Sequence, residues 1–184
     1  MPPPVSDAIS IRPARPDEYQ AVGELTVAAY DADGHLIRSD GEPDTYYAGW
    51  LRDAAPRGAG GGLLVAADHS GLLGTVTWCP PGSPFREVAT DERQGEFRTL
   101  SVAPGARGRG IGQALVAACI DRARDLGLTE VVLCSLPEMV PAHRLYASFG
   151  FARRPDLDWS PFDGVTLWGF WMPLQRAGSL GSGG

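Results

Sequence analysis

The residues from Leu100 to Gly112, LSVAPGARGRGIG, are of the right types and spacing to hold a phosphate. They read as the end of a strand, a tight turn and the start of a helix. A helix start carries backbone N–H groups with no intrahelical acceptor and the positive end of the macrodipole, which together make an anion site. Gly108, Gly110 and Gly112 remove side chains that would keep an anion from those N–H groups, and Arg107 and Arg109 add positive charge beside them. Alone, the same residues also suit an ordinary helix start with permissive glycines. Two nucleotide motifs are excluded. The glycines fall as GxGxG rather than the dinucleotide pattern GxGxxG. The P-loop needs a Lys, and all sixteen basic residues here are Arg.

The elements that must position this turn follow from periodicity and breakers. Ile9–Arg12 alternates as a short strand. Pro16-Asp17-Glu18 opens a helix carrying Val22, Leu25 and Ala29. Residues 31–42 read as a loop, and Pro43–Asp53 as a second helix with Tyr46 and Trp50 one turn apart. Leu63–Asp68 and Leu72–Cys79 form a hairpin around His69-Ser70-Gly71. Residues 80–92 are a proline-containing loop and Glu96–Val102 a strand. Gly110–Leu126 is a long helix stopped by Gly127. Glu130–Ser135, with the apolar run Val131-Val132-Leu133-Cys134, predicts a strand buried on both faces. A short helix over 141–149 ends at Gly150. A brief strand over 151–153 and a final strand over Val165–Pro173 complete the chain. The expectation is an α/β chain with a mixed sheet and helices packed on it.

The chain has 184 residues, 43 % of them hydrophobic, which suits one domain with a real core and excludes wholesale disorder. The reading is one domain over residues 9–174, with flexible tails at 1–6 and 178–184. A net charge of −6 argues against a general nucleic-acid binder. Cys79, Cys119 and Cys134 show no metal or disulfide spacing and read as reduced buried thiols; no metal is expected. With neither a signal sequence nor a membrane-length apolar run, a cytoplasmic protein without membrane association is expected.

Two motifs together resemble the GNAT superfamily of acetyl-CoA-dependent N-acetyltransferases. The family's loop has Arg or Gln, two residues, Gly, one residue, then Gly or Ala; here Arg107, Gly110 and Gly112 stand there. Downstream, the family has a helix with Leu-Tyr that ends in Gly-Phe; here these are Leu145-Tyr146 and Gly150-Phe151. The resemblance spans roughly residues 9–174. It implies a central, mostly antiparallel sheet of about six to seven strands with about four helices, splayed between the fourth and fifth strands. It implies that backbone N–H groups of Arg107, Gly108, Arg109, Gly110, Ile111, Gly112 and Gln113 hold the coenzyme's pyrophosphate, and that Leu100, Ser101 and Val102 run along its pantetheine arm.

The resemblance also implies roles in direct acetyl transfer to an amine. An alkylammonium must lose a proton before it attacks, and Glu96, six residues before Val102, matches the family's general base acting through a water. The plain alternative is an exposed strand glutamate. The Val102 backbone N–H would stabilise the oxyanion. Tyr146 would protonate the leaving thiolate; the alternative is a half-buried helix tyrosine with a structural hydrogen bond. Met139 stands where many relatives carry Asn, so one polar contact to the coenzyme is lost. Arg144 is the candidate cation for the 3′-phosphate, and His143 reads as structural. In such folds the acceptor lies among the first two helices and the C-terminal loops, where Tyr30, Tyr46, Trp50, Trp78 and Trp159 fall; these rings are either core or an aromatic wall. Such a wall suits an aromatic or aliphatic amine, and rings also attract cations. The expected partners are acetyl-CoA and an amine of a small molecule or peptide, in a monomer or homodimer. The alternatives are a non-catalytic acyl-CoA sensor or partner module, or transfer of another acyl group.

Overall fold

The computed structural model describes residues 8–175. The two tails expected to be flexible lie outside that range. Within it the chain is mixed α/β, with eight strands and five α-helices. It divides into two compact units, residues up to Trp78 with Phe97–Cys119, and Cys79–Glu96 with Ile120 onward.

In the first unit, β1 (Ser10–Pro13) pairs antiparallel with β2 (Leu63–Asp68), and β2 with β3 (Gly71–Cys79), in the registers Ile11↔Ala66 and Val65↔Thr75. The later residues of β4 (Gln94–Val102) follow β3 in the order β1-β2-β3-β4. The Thr77 and Thr99 hydroxyls meet at 2.8 Å, and the N–H of Ala103 donates to the carbonyl of Leu73. Between β1 and β2 come α1 (Tyr19–Ala32), α2 (Thr45–Arg52) and α3 (Ala55–Ala59). Val22 of α1 packs with Ala54, Leu63 and Val65 in a buried cluster. Gly23 makes the approach of α2 feasible, because a Cβ there would sit 1.9 Å from the Arg52 carbonyl oxygen. Ahead of α1, the Glu18 carboxylate accepts from the backbone N–H of Arg15 and from the guanidinium of Arg12. These bonds, the Arg12 pair foremost, hold the Glu18 pKa down at about 2.

In the second unit the order is β4-β5-β8-β6, with β7 beside β8. The first residues of β4 run parallel to β5 (Glu130–Ser135), from Gln94↔Glu130 to Glu96↔Val132, where the ladder ends. β8 (Val165–Pro173) lies antiparallel to β5 and to β6 (Ala152–Arg153), and pairs with β7 (Trp159–Phe162). Helix α5 (Val140–Phe149) stops where Gly150 adopts φ 99°, a left-handed C-cap that glycine takes at least cost. Helix α4 (Ile111–Asp125) begins in the first unit and ends in the second.

Two elements go beyond the sequence expectation. The sequence offers no helix signal over α3, which holds Pro56 and Gly58 and makes barely more than one turn. The stretch around Trp159 and Pro161, read as a loop, is the edge strand β7, where a proline's missing N–H costs no ladder bond.

Candidate active site

The phosphate turn keeps the expected shape. β4 ends at Val102, and after one short 3-10 turn the chain reaches α4 at Ile111. Gly108 and Gly110 have φ 77° and 76°, which side chains resist and which these glycines supply freely. The first intrahelical acceptor is the Gly110 carbonyl, which takes the Ala114 N–H at 3.0 Å. The N–H groups before Ala114 therefore belong to the first turn, without helical partners. Residues 107–110 are exposed, while Ile111 and Gly112 are buried. Gly74 on β3 leaves the room this requires: a Cβ there would sit 2.7 Å from Ile111 Cγ2 and 2.8 Å from the Ser101 carbonyl oxygen.

The two loop arginines are already engaged. Arg107 makes a bidentate pair with Asp33 at 2.8 and 3.0 Å, just past the end of α1. Arg109 donates to Asp68 at 2.7 Å, at the end of β2. The Asp68 carboxylate also accepts from the hydroxyl and the N–H of Ser70. The Ser70 hydroxyl, then Arg109, hold its pKa far below the usual carboxylate range. The arginine side chains thus brace the turn, and backbone N–H groups are what it offers an anion. Before the turn, Thr99 takes φ 49° within β4, a value uncommon for a β-branched residue, two residues ahead of Ser101.

The first unit also gathers aromatic side chains. Tyr30 of α1 meets Tyr47 of α2 edge-on at 5.9 Å, and Tyr47 stacks on Trp50 at 6.0 Å. Helical spacing predicts Tyr46 in that row, but Tyr46 is 86 % exposed and Tyr47 takes its place. Trp78 is buried in the core rather than on the wall. Two arginines that sequence reasoning passed over lie against Trp50, with the Arg57 and Arg98 guanidinium carbons 5.3 and 5.4 Å from its ring centroid. Nothing in the local sequence marks either of them, because the contacts are set by tertiary packing.

In the second unit, Glu96 is fully buried, which removes the exposed-glutamate alternative. Its carboxylate accepts the backbone N–H groups of Glu87 at 2.9 Å, Val88 at 3.1 Å and Ala89 at 2.9 Å. The loop before β4 therefore wraps one acid. Val88 and Ala89 form a small cluster with Val132, against which Trp159, Trp171, Leu157 and Cys134 pack. Trp159 thus belongs to a different group of rings from Tyr30 and Trp50.

On α5, Tyr146 is buried, with its ring 6.0 Å from those of Phe151 and Phe170. Arg144 is exposed on the same helix. His143 sits 3.2 Å from the Ser135 hydroxyl and 3.1 Å from the Leu136 carbonyl, and its ring stacks on Trp168. Burial pushes its pKa down. Met139, next to α5, receives the Ser135 hydroxyl on its sulfur at 3.5 Å. None of Cys79, Cys119 and Cys134 is in a disulfide; the first two are buried as expected, and Cys134 is half-buried. Among the described residues no group of His, Cys, Asp and Glu could hold a metal, and no helix is long and apolar enough to cross a membrane.

Residues 21–151 match the profile of the Acetyltransferase (GNAT) family. A mycothiol acetyltransferase of Cellulomonas flavigena is 30 % identical over 154 residues, covering 83 % of this chain and 42 % of the relative. The chain thus spans less than half the length of that relative. Among solved structures, the PaiA N-acetyltransferase of Thermoplasma acidophilum, in complex with coenzyme A, aligns with a TM-score of 0.69 at 16 % identity, over 91 % of this chain and 99 % of that one. A phosphinothricin acetyltransferase of Sinorhizobium meliloti, in complex with acetyl-CoA, aligns with a TM-score of 0.63 at 19 % identity, over 90 % and 88 %.

Proposed function

From the premise that this chain belongs to the acetyltransferase (GNAT) family, we propose that it moves an acetyl group from acetyl-CoA to the amine of a small molecule or peptide by direct transfer. The observation that carries this reading is the turn from β4 into α4. Gly108 and Gly110 hold left-handed conformations, residues 107–110 are exposed, and Arg107 and Arg109 are tied to Asp33 and Asp68, which leaves the anion to first-turn N–H groups without helical partners. A pyrophosphate, with several anionic oxygens on two phosphorus centres, can take several of these N–H groups at once. In this reading Arg107 through Gln113 hold it by their N–H groups. Leu100, Ser101 and Val102 line the pantetheine arm, and Arg144 meets the 3′-phosphate. The coenzyme complexes of the related structures support the choice of donor.

The chemistry then needs a neutral amine, a stabilised oxyanion and a protonated leaving group. Glu96 is the proposed proton acceptor, through a water; the N–H donors of residues 87–89 fix its carboxylate in one orientation. The amine nitrogen attacks the thioester carbon. The developing oxyanion takes a hydrogen bond from the Val102 N–H. As the oxyanion collapses the carbon–sulfur bond breaks, the Tyr146 hydroxyl supplies the thiolate's proton, and the proton lost by the acylated nitrogen restores that hydroxyl. The test is calorimetric titration with acetyl-CoA beside a thiol-release screen of amines, amino acids and peptides. Micromolar binding with amine-dependent release supports the reading. Tight binding with no release on any amine turns it into a sensor, and no binding removes it.

A further inference from the structure

Two buried donors of the second unit have no acceptor. Trp159 on β7 and Trp171 on β8 both pack against Val88, Ala89 and Val132, and the Nε1–H of each is closed to solvent with no hydrogen-bond partner. Native interiors pair nearly every buried N–H, so two orphans on one small cluster call for an acceptor that the chain itself does not provide. Glu96 borders the same cluster. The register Glu96↔Val132↔Trp171 sets these three in one row across β4, β5 and β8, and neighbours in a row share a face of the sheet. The N–H groups of Val88 and Ala89 donate to the Glu96 carboxylate at 3.1 and 2.9 Å, so both rings rest on residues that the proposed base holds. The guanidinium against Trp171 is engaged: Arg154, 5.5 Å from the ring centroid, donates from Nε to both oxygens of Asp156. A buried carboxylate would need such a cation, whereas a neutral carbonyl oxygen is satisfied by neutral N–H donors.

We infer that the indole N–H groups of Trp159 and Trp171 hold a neutral carbonyl oxygen next to the acceptor's amine, so that the favoured acceptor is an α-amino amide. With its amine toward Glu96, such a molecule carries its carbonyl one carbon further on, toward the rings packed on Val88, Ala89 and Val132. β7, an edge strand with two register pairs to β8 and an irregularity between them, moves to admit it. An amine of the same size without the oxygen leaves both N–H groups unpaired and is the poorer substrate.

This inference rests on the acetyl-transfer reading for the fate of the amine, but the carbonyl contact it predicts does not. The probes are amino acid amides, the amines in which an isopropyl group replaces the carboxamide, and the free amino acids. The amide's amine is less basic, which favours it over the isopropyl amine in the parent and in every variant alike. The readout is therefore the change in their ratio of kcat/KM, by thiol release, when an N–H is removed. Trp159→Phe and Trp171→Phe should each lower that ratio by about 3- to 10-fold, and the double variant by about 10- to 100-fold. Trp168→Phe, three residues from Trp171 and so on the opposite face of β8, should leave it within about 2-fold. Two-dimensional 1H–15N spectra in the presence of coenzyme A give the second arm. The amide should move the Trp159 and Trp171 indole peaks, identified by their loss in the two variants, and the isopropyl amine should not. The remaining indole peaks report that each variant is folded. Single amino acid amides and dipeptides are both run; either supports the inference, and the better one tells a small aminoacyl amide from a chain end. If the amide moves both peaks but no thiol is released, the carbonyl site stands and acetyl transfer to these amines falls. If thiol is released and the ratio is unchanged in both variants, the carbonyl site is overturned while acetyl transfer stands. If free amino acids match the amides in both arms, the neutral carbonyl is overturned, and if neither peak moves with any amide, so is the site.

Discussion

Replacing Glu96 by Gln tests whether this acid holds the loop before β4 as well as serving chemistry. One carboxylate oxygen, Oε2, accepts N–H groups from three successive residues, Glu87, Val88 and Ala89. Hydrogen bonds to a charged acceptor contribute about 1.5–3 kcal/mol each, against about 0.5–1.5 for neutral ones. The amide oxygen of Gln can occupy the Oε2 position and keep three neutral bonds. Its NH2 group then faces the Glu87 N–H where Oε1 accepted at 3.1 Å, donor against donor. Losing charge assistance in three bonds and facing two donors at a buried site sums to about 2–4 kcal/mol of lost stability. For a chain of this size that lowers the melting temperature by about 5–15 °C. Thermal unfolding by circular dichroism measures it, and hydrogen exchange at residues 87–89 localises it. The same variant should lose turnover while keeping acetyl-CoA affinity, if the acid also accepts the amine proton. A melting temperature within about 1 °C of the parent, with unchanged exchange at 87–89, would refute the loop-holding argument. Unchanged turnover in a folded variant would refute the proposed base.

Four further outcomes follow from the geometry. Gly110→Ala, at φ 76°, should weaken acetyl-CoA binding by about 10-fold or more, through strain at the N–H groups; Arg107→Ala, whose side chain is occupied by Asp33, should weaken it by less than about 5-fold. Titration calorimetry ranks the two, and the reverse order would mean that the arginine, not the backbone, grips the phosphate. His143 has a lowered folded pKa, so it is neutral in both states above about pH 6.5. Below that the unfolded chain takes up its proton first, and stability should fall toward the folded pKa; His143→Gln should flatten that part of a melting-temperature profile. Glu18 runs in the other direction: its folded pKa of about 2 gives stability that is full above about pH 4.3 and disappears as pH falls toward 2. After solvent screening Glu18→Gln should cost about 1–2 kcal/mol at pH 7, and an acid-unfolding curve unchanged by it would discount the pairing with Arg12. Gly23→Ala should destabilise by about 2 kcal/mol or more, because the added methyl would meet the Arg52 carbonyl at 1.9 Å; an unchanged denaturation midpoint would argue against that close approach of α1 and α2.

The elements most legible in the sequence are those whose signal is local and continuous. β5 and β8 match their expected bounds, because an apolar run and a turn-bounded alternation need no tertiary information. The phosphate turn was equally legible, since its glycines must be where the backbone turns left-handed. What the sequence concealed is long-range. Arg107 and Asp33 stand 74 positions apart, and Arg109 and Asp68 stand 41 apart, so nothing local announces that the loop cations are spoken for. Tyr46 and Tyr47 are adjacent, and a small rotation of α2 decides which one joins Trp50. Arg57 reads as a surface residue by type; it is buried because the carbonyls of residues 50–53, at the end of α2, need donors.

The Arg107–Asp33 pair joins the turn after β4 to the chain leaving α1, the same stretch that leads by residues 33–44 into the aromatic wall of α2. Such a tie makes the two regions thermodynamically reciprocal. Whatever factor an ordered 33–44 segment adds to the affinity of the turn for its anion, the bound anion returns to the ordering of that segment. Order of addition then leaves the ternary affinity unchanged but sets which partner finds its half already built.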